Sequence, residues 1–341
     1  MKKIAILGFG GTIAMIPDTS GTLVPAKGVE ELIRYVPQLT KMADVELIQL
    51  ENLDSTNVNP IHWGKLAQDI YSVYDRCDAV IVTHGTDTMA YTASAIALAL
   101  GRNIKIPVIF TGSQLPIAEP GNDAHFNLEN SMKTALQAIE EDIAEVMIVF
   151  SDRVLRAARS IKTSEARFDA FDSPAYPHLA QITATGVAFS PLAMKREKKL
   201  VKNLRPKADF NSSIFTLDLT PGLDPKILRA LIATSGCEAI LLKSLGAGNV
   251  PSENQYSLLP AIKEAAERNI PVLISTKFIG GRTLPNLYAP GKLALEAGAI
   301  PTGDMTDVMA QVKLMWLLAQ GIESPQKLKE AVLHSYVGEV G

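Results

Sequence analysis

Short, almost uninterrupted runs of aliphatic and β-branched residues recur through the first half of the chain, at about 3–8, 45–50, 79–83, 107–111 and 146–150. Continuous rather than alternating apolar runs are expected of parallel strands covered on both faces. Between them the apolar positions repeat with helical spacing. Asn59-Pro60 supplies an N-cap and a first-turn proline, and Trp63, Leu66, Ala67, Ile70, Val73 and Tyr74 then share one face. Asp123 opens another helix, with Leu128, Met132, Ala135, Leu136 and Ile139 on its apolar side. An Ala-rich helix is expected after Thr88.

The alternation lapses between about 184 and 212, where prolines and a charged run intervene. It then resumes with strands at 213–219, 239–243 and 271–276, a helix from Asp224-Pro225, one over about 252–268, and others after 290, 304 and 324. The pattern predicts two doubly wound α/β domains. The larger, 1–190, has a mainly parallel sheet; 191–212 is a connector; 213–341 is a smaller flavodoxin- or Rossmann-like domain.

Composition narrows the function classes. A chain of 341 residues exceeds what one hydrophobic core ordinarily reaches, in keeping with two domains. A net charge of -3 argues against nucleic acid as a main partner. The most basic run, "KREKKLVKNLRPK" (195–207), is broken by Glu197 and reads as a solvated connector. Cys77 and Cys237 sit in no metal-spaced pair and make no disulfide framework, which favours a reducing compartment. His62, His84, His125, His178 and His334 include no HExxH, so a zinc site has little support. The apolar stretch after "MKK" ends at Gly8, short of a signal-peptide core, and no run reaches membrane-spanning length. The expectation is a cytoplasmic protein without metal, membrane or nucleic-acid partner.

Parallel sheets bind ligands outside the carboxyl ends of their strands, so those loops carry the candidate chemistry. The first is "GFGGTIAMIP" (8–17). A dinucleotide fingerprint needs a third glycine where Ile13 stands, and no Gly-Lys-Ser/Thr follows for a phosphate loop. The glycines still allow a sharp turn and close backbone approach. Thr12, taken alone, reads slightly better as a helix-start hydroxyl than as a reactive group. After the second strand, Asp54, Ser55 and Thr56 suit either the amine and carboxylate of a small zwitterion or the capping of the helix near Pro60; capping is the better local reading. In "THGTDTMAYTASA" (83–95), Thr86, Asp87 and Thr88 crowd one helix start, more polar groups than a cap requires, and function leads there. "TGSQLP" (111–116) offers the Ser113 backbone. "SDRVLRAARSIKTSEARFDAFDSP" (151–174) carries several cations, one of which could hold and activate the Thr86 hydroxyl beside Asp87.

Together, "GGTIA", "HGTDTM" and "SIKTSEARFDAFDSP", with "LDST", "TGSQ", "GAGNVP" (246–251), "ERNIPVLISTK" (267–277) and "GDMTDV" (303–308), resemble the bacterial-type L-asparaginase family, in its cytosolic type I branch. The resemblance covers essentially the whole chain. It implies that Thr12 is a nucleophile, that Thr86 and Asp87 are the second catalytic threonine and its acid, and that Lys162 completes their triad. Ser55 and Thr56 would bind the substrate α-carboxylate and Asp87 its α-amine, with Asp54, Gly85, Thr86 and Ser113 lining the same pocket. Asn249 would reach the site of a neighbouring protomer, so dimers or dimers of dimers with shared sites are implied.

The implied reaction is hydrolysis of L-asparagine to L-aspartate and ammonia, with no cofactor. The segment 14–28 reads as a lid. Many family members place a tyrosine there; between Ile13 and Arg34 this chain has none, with Thr22 or Leu23 near the expected place, which leaves the base for Thr12 open. The type I allosteric cysteine is replaced near Lys277-Phe278, so regulation by asparagine is not expected. Two rivals remain: the amidase component of an archaeal tRNA-dependent amidotransferase, whose extra N-terminal domain is not expected here because the first strand starts at about residue 3, and a non-catalytic ligand-binding module.

Overall fold

The computed structural model describes residues 1–11, 13, 15–17, 23–25, 29–198, 205–322 and 325–341. Thr12, Thr22, most of the expected lid and part of the expected connector lie outside the described residues. The chain separates into two compact units, 1–173 with 177–208, and 174–176 with 209–341.

The first unit runs β1 (Lys3–Gly10), β2 (Met15–Pro17), β3 (Leu23–Pro25), α1 (Glu30–Tyr35), α2 (Leu39–Met42), β4 (Asp44–Leu53), α3 (Pro60–Val73), β5 (Ala79–Thr83), α4 (Met89–Leu100), β6 (Val108–Thr111), α5 (Ala124–Glu140), β7 (Val146–Phe150), β8 (Arg153–Arg156), β9 (Ile161–Lys162), β10 (Phe171–Asp172), β11 (Ala180–Thr183) and β12 (Gly186–Phe189). Eight of these strands form one sheet, in the order β12-β11-β8-β7-β6-β5-β1-β4. The five strands from β7 to β4 are parallel, whereas β8, β11 and β12 join antiparallel. The chain steps from β1 to β4 on one side and then returns past β1 to β5. The strand order therefore reverses at the β1–β5 pair, where a doubly wound sheet opens its ligand crevice.

Burial explains why the apolar runs became strands. From Ile4 to Leu7 and from Ala79 to Val82 every side chain is buried, because helices cover both faces. Helix α3 begins where its signals place it: the Asn59 side chain accepts from Ile61 N and His62 N, and His62 returns the contact. Helix α4 is buried nearly all round, as expected of a helix packed between α3 and the sheet.

The antiparallel part holds a buried ion pair. Arg156 Nε donates to Glu145 Oε2 at 2.8 Å, and both side chains are almost wholly enclosed. Arg156 also donates to Leu192 O, and Glu145 accepts from Met194 N, so the start of the expected connector is tied to β8.

The second unit is a smaller parallel sheet, β13 (Ile214–Asp218), β14 (Ala239–Ser244), β15 (Val272–Thr276) and β16 (Ile300–Pro301), adjacent in chain order. Its helices are α6 (Pro225–Ala233), α7 (Leu259–Glu267), α8 (Ala289–Glu296), α9 (Asp307–Ala319) and α10 (Pro325–Leu333). The helix expected over 252–268 is shorter: Pro260 lies in its first turn, and a separate 3-10 turn occupies Asn254–Tyr256. Lys313 is buried against Glu339 at 2.6 Å and donates to the carbonyls of Val332 and His334, which secures the C-terminal segment. Among the described residues, no helix is long and apolar enough to cross a membrane.

Candidate active site

Turns at the carboxyl ends of β1, β4, β5 and β6 converge at the reversal of strand order. Gly11 N donates to Leu53 O at 3.1 Å, which ties the end of β1 to the end of β4. Gly11 also lies against Gly85: a Cβ on Gly11 would stand 2.2 Å from Gly85 N. Gly85 in turn faces Ser55, whose Oγ would be 2.6 Å from a Cβ added there. Thr88 Oγ1 donates to Ser55 O at 2.7 Å. The turn preceding Thr12 and the turns carrying Ser55 and Thr86 are thereby packed directly on one another.

Thr86 is buried, and its hydroxyl sits at the centre of a polar chain. Lys162 Nζ donates to Thr86 Oγ1 at 2.8 Å and to Asp87 Oδ1 at 2.6 Å. Thr86 Oγ1 donates to Gln114 Oε1 at 3.3 Å, and Gln114 Nε2 donates to Arg167 O at 3.1 Å. The lysine side chain is 16% exposed and that of Asp87 57%, so the ammonium faces inward while the carboxylate meets solvent. Lys162 comes from β9, which pairs with β10 in a two-residue ladder, Phe171 opposite Lys162. Thr88, at the N-cap of α4, makes no side-chain cap bond. The three polar residues are thus not serving the helix start, which supports the functional reading of that crowding. The amino end of α4 adds a partial positive field beside them.

The β4 turn behaves differently. Asp54 accepts from Thr56 N at 2.9 Å and from the Thr56 hydroxyl, and these bonds, the hydroxyl first, hold its carboxyl below the usual carboxylate range. It caps a 3-10 turn at Ser55–Asn57, whereas Asn59 caps α3. The Ser113 hydroxyl is spent on Leu115 O at 2.5 Å. Asn249 belongs to the second unit, in a turn where Asn249 N donates to Leu245 O, and its Oδ1 is buried without a partner among the described residues. Gln114 is a site residue that sequence reading missed; its only signal was its place one residue beyond Ser113 at a strand end.

Beneath the crevice lies His84. Its ring is stacked on Phe9 at 5.3 Å, its Nδ1–H donates to Gly85 O at 2.7 Å, and its Nε2 is buried without a partner among the described residues. Burial pushes its pKa down from 6.5 to about 4. The folded state therefore refuses a proton that the unfolded state accepts, and stability falls as pH drops from 6.5 towards 4. The loss approaches about 3 kcal/mol. Denaturation midpoints measured against pH should fall more steeply in the wild type than in His84→Gln; parallel curves would remove His84 as the cause.

A doubly wound α/β protein with a hydroxyl, an ammonium and a carboxylate assembled at its sheet reversal is the kind of scaffold that activates a side-chain oxygen. Comparison with known proteins makes this particular. Residues 3–193 match the family described as "Asparaginase, N-terminal", and residues 213–332 match "Glutaminase/Asparaginase C-terminal domain". The chain belongs to the asparaginase family, as the motifs implied. It is 35% identical over 333 residues to an L-asparaginase of Thermococcus kodakarensis, covering 96% of this chain and 97% of the relative. It is 32% identical over 350 residues to a component of the Glutamyl-tRNA(Gln) amidotransferase of Pyrococcus abyssi, covering 100% of this chain and 77% of the relative. The solved L-asparaginase I of Vibrio cholerae superposes with a TM-score of 0.87 at 31% identity, over 100% of this chain and 99% of that one.

Proposed function

We propose that this protein is an L-asparagine amidohydrolase that releases L-aspartate and ammonia through a threonine acyl-enzyme. The observation that carries the reading is Lys162 Nζ bonded at once to Thr86 Oγ1 and Asp87 Oδ1, beside the turn that leads into Thr12. Thr12 Oγ attacks the side-chain amide carbon, a C–O bond forms, the C–N bond breaks, and the nitrogen leaves as ammonia after taking up a proton. Water then adds to the acyl carbon, and Thr12 departs with its proton restored.

For Thr86 to take part, its hydroxyl must exchange a proton with Lys162, which donates to it in the resting arrangement. Loss of a lysine proton, with Asp87 holding the group in place, reverses that bond and makes Thr86 the activator of the incoming water. Backbone N–H groups near Thr86 and Ser113 are assigned to the developing oxyanion, each worth about 100- to 1000-fold in rate. Ser55, Thr56 and Asp54 with Asp87 and Gly85 are assigned to the substrate's α-carboxylate and α-amine.

A second reading, amide release within a tRNA-dependent amidotransferase, is favoured by the 32% identity to the Pyrococcus abyssi amidotransferase component. Ammonia release measured with asparagine, with glutamine and without amino acid separates the readings. Rapid release from asparagine by the protein alone supports the hydrolase; release from neither amide removes it. Discrimination between the two amides rests on about one methylene of pocket length, worth about 1–3 kcal/mol.

We further assign the protein to the cytoplasm, in keeping with its two free cysteines, and to a homo-oligomer with shared sites. The latter rests on the resemblance of "GAGNVP" (246–251) to the family's motif. Asn249→Ala should lose activity that mixing with Thr12→Ala protomers partly restores, because each then supplies what the other lacks. Mixtures no more active than the sum of their components would mean that sites are not shared.

A further inference from the structure

Asp123 occupies the N-cap position of α5, yet its side chain makes no cap bond to that helix. It is buried, and its carboxylate is directed at a turn nine residues back in the chain. Both oxygens accept from Gln114 N at 3.0 Å, Oδ1 also accepts from Leu115 N at 3.1 Å, and Oδ2 accepts from Asn127 Nδ2 at 3.1 Å. Asn127, one turn into the same helix and fully buried, donates in addition to Gly112 O at 2.9 Å and accepts from Ser151 N at 2.8 Å. Two side chains of one helix therefore hold the backbone of residues 112–115 from below. The residue so held, Gln114, is the one whose Oε1 accepts the Thr86 proton while its Nε2 reaches Arg167 O on the β9–β10 connection that follows Lys162.

We propose that Asp123 is a positioning residue of the Thr86–Lys162 centre, acting through Gln114. A buried carboxylate with three N–H donors fixes the turn more firmly than neutral groups would, because bonds to an ionised acceptor are roughly twice as strong. The turn in turn fixes the direction of Gln114 and hence which way the Thr86 hydroxyl points its proton. With the proton on Gln114, the Thr86 oxygen presents its lone pairs to Lys162 in the resting arrangement, from which the hydroxyl turns to the lysine once that group has lost a proton. An error of about 1 Å in such an arrangement costs about 100-fold in rate.

The proposal rests on the amidohydrolase reading for its kinetic test, and on backbone geometry for an independent one. Asp123→Asn keeps the shape but replaces one acceptor oxygen by an NH2, setting donor against donor at Gln114 N, Leu115 N or Asn127 Nδ2. Gln114→Ala leaves the N–H that Asp123 holds and removes only the contact with Thr86. Both should lower kcat about 10- to 100-fold with KM changed less than about threefold, and the double variant should be no slower than Gln114→Ala alone. Wild-type kcat in Gln114→Ala, or losses that multiply in the double variant, would overturn the relay.

Hydrogen exchange of the 112–115 amides tests the brace without activity. Asp123→Asn should accelerate it at least tenfold while α4 stays protected, and unchanged exchange defeats the proposal. A wild type that releases no ammonia from either amide overturns the amidohydrolase reading instead, and the exchange result still decides the brace.

Discussion

Lys162→Met should lower ammonia release from L-asparagine by about 100- to 10,000-fold, the range that removal of a proton-transfer group ordinarily spans, and Thr12→Ala should lower it further, since on the proposed mechanism no acyl-enzyme forms without that hydroxyl. The methionine keeps the length and much of the packing of lysine while removing the charge that bonds Thr86 and Asp87. Asp87, 57% exposed on its side chain, is left to water rather than stranded. A pair whose carboxylate is open to solvent is screened and contributes about 1 kcal/mol to stability, so the melting temperature should move little. Loss of rate with retention of fold is what separates a chemical role from a structural one. Rates within threefold of wild type in either variant would sink the two-hydroxyl mechanism, and a collapse of Lys162→Met on purification would recast the lysine as a folding element.

The parts of this fold that sequence made legible are those decided locally. Four of the five parallel strands, β1, β5, β6 and β7, announce themselves because a strand buried on both faces must be apolar at nearly every position, as Ile4–Leu7 and Ala79–Val82 are, whereas the edge strand β4 is only partly buried. The antiparallel strands gave no such signal. Ala180–Thr183 alternates buried and exposed over four residues, and β9 and β10 have two residues each, below any usable period. Arg153–Arg156 looks like surface, since nothing near it in sequence reveals that Glu145 and the backbone of Leu192 meet Arg156 in the interior.

The site divides in the same way. The glycine turn and the crowded helix start at Thr86 could be read from composition and position. Lys162 could be singled out among its neighbouring cations only through the resemblance, because what makes it special is a contact made 76 residues away. Asp123 was legible as a helix start and misleading as a cap; its carboxylate serves the Gln114 turn, a choice set by tertiary packing rather than by propensity. The Asp54 turn reversed a local expectation too, since Asn59 already caps α3 and leaves Asp54 to cap its own short turn.

Gly11→Ala should be the most damaging single methyl group in the first unit. Gly11 has φ +92°, a conformation that side chains with a Cβ adopt only under strain, at a cost of about 1 kcal/mol or more. The larger cost is steric. The added Cβ would lie 2.2 Å from Gly85 N, 2.4 Å from Gly85 Cα and 2.6 Å from His84 C, and all three atoms are backbone that cannot rotate aside. Nor can Gly11 retreat, because its own N–H is bonded to Leu53 O on the opposite side. Relief requires the β1 and β5 turns to separate, which would draw the end of β1 away from Thr86 and Lys162. Overpacking of this kind adds about 1–3 kcal/mol or more to the backbone strain. At about 2–4 °C per kcal/mol for a domain of this size, the expected fall in melting temperature is about 10 °C, with turnover abolished. Gly101→Ala isolates the two contributions, since Gly101 also has positive φ, +63°, but nothing within 4 Å of its added Cβ. That variant should lose only about 1 kcal/mol and keep its activity. Equal melting temperatures for the two substitutions would mean that the turns do not press on each other in solution, and the proposal that Thr12 and Thr86 act together would lose its geometric basis.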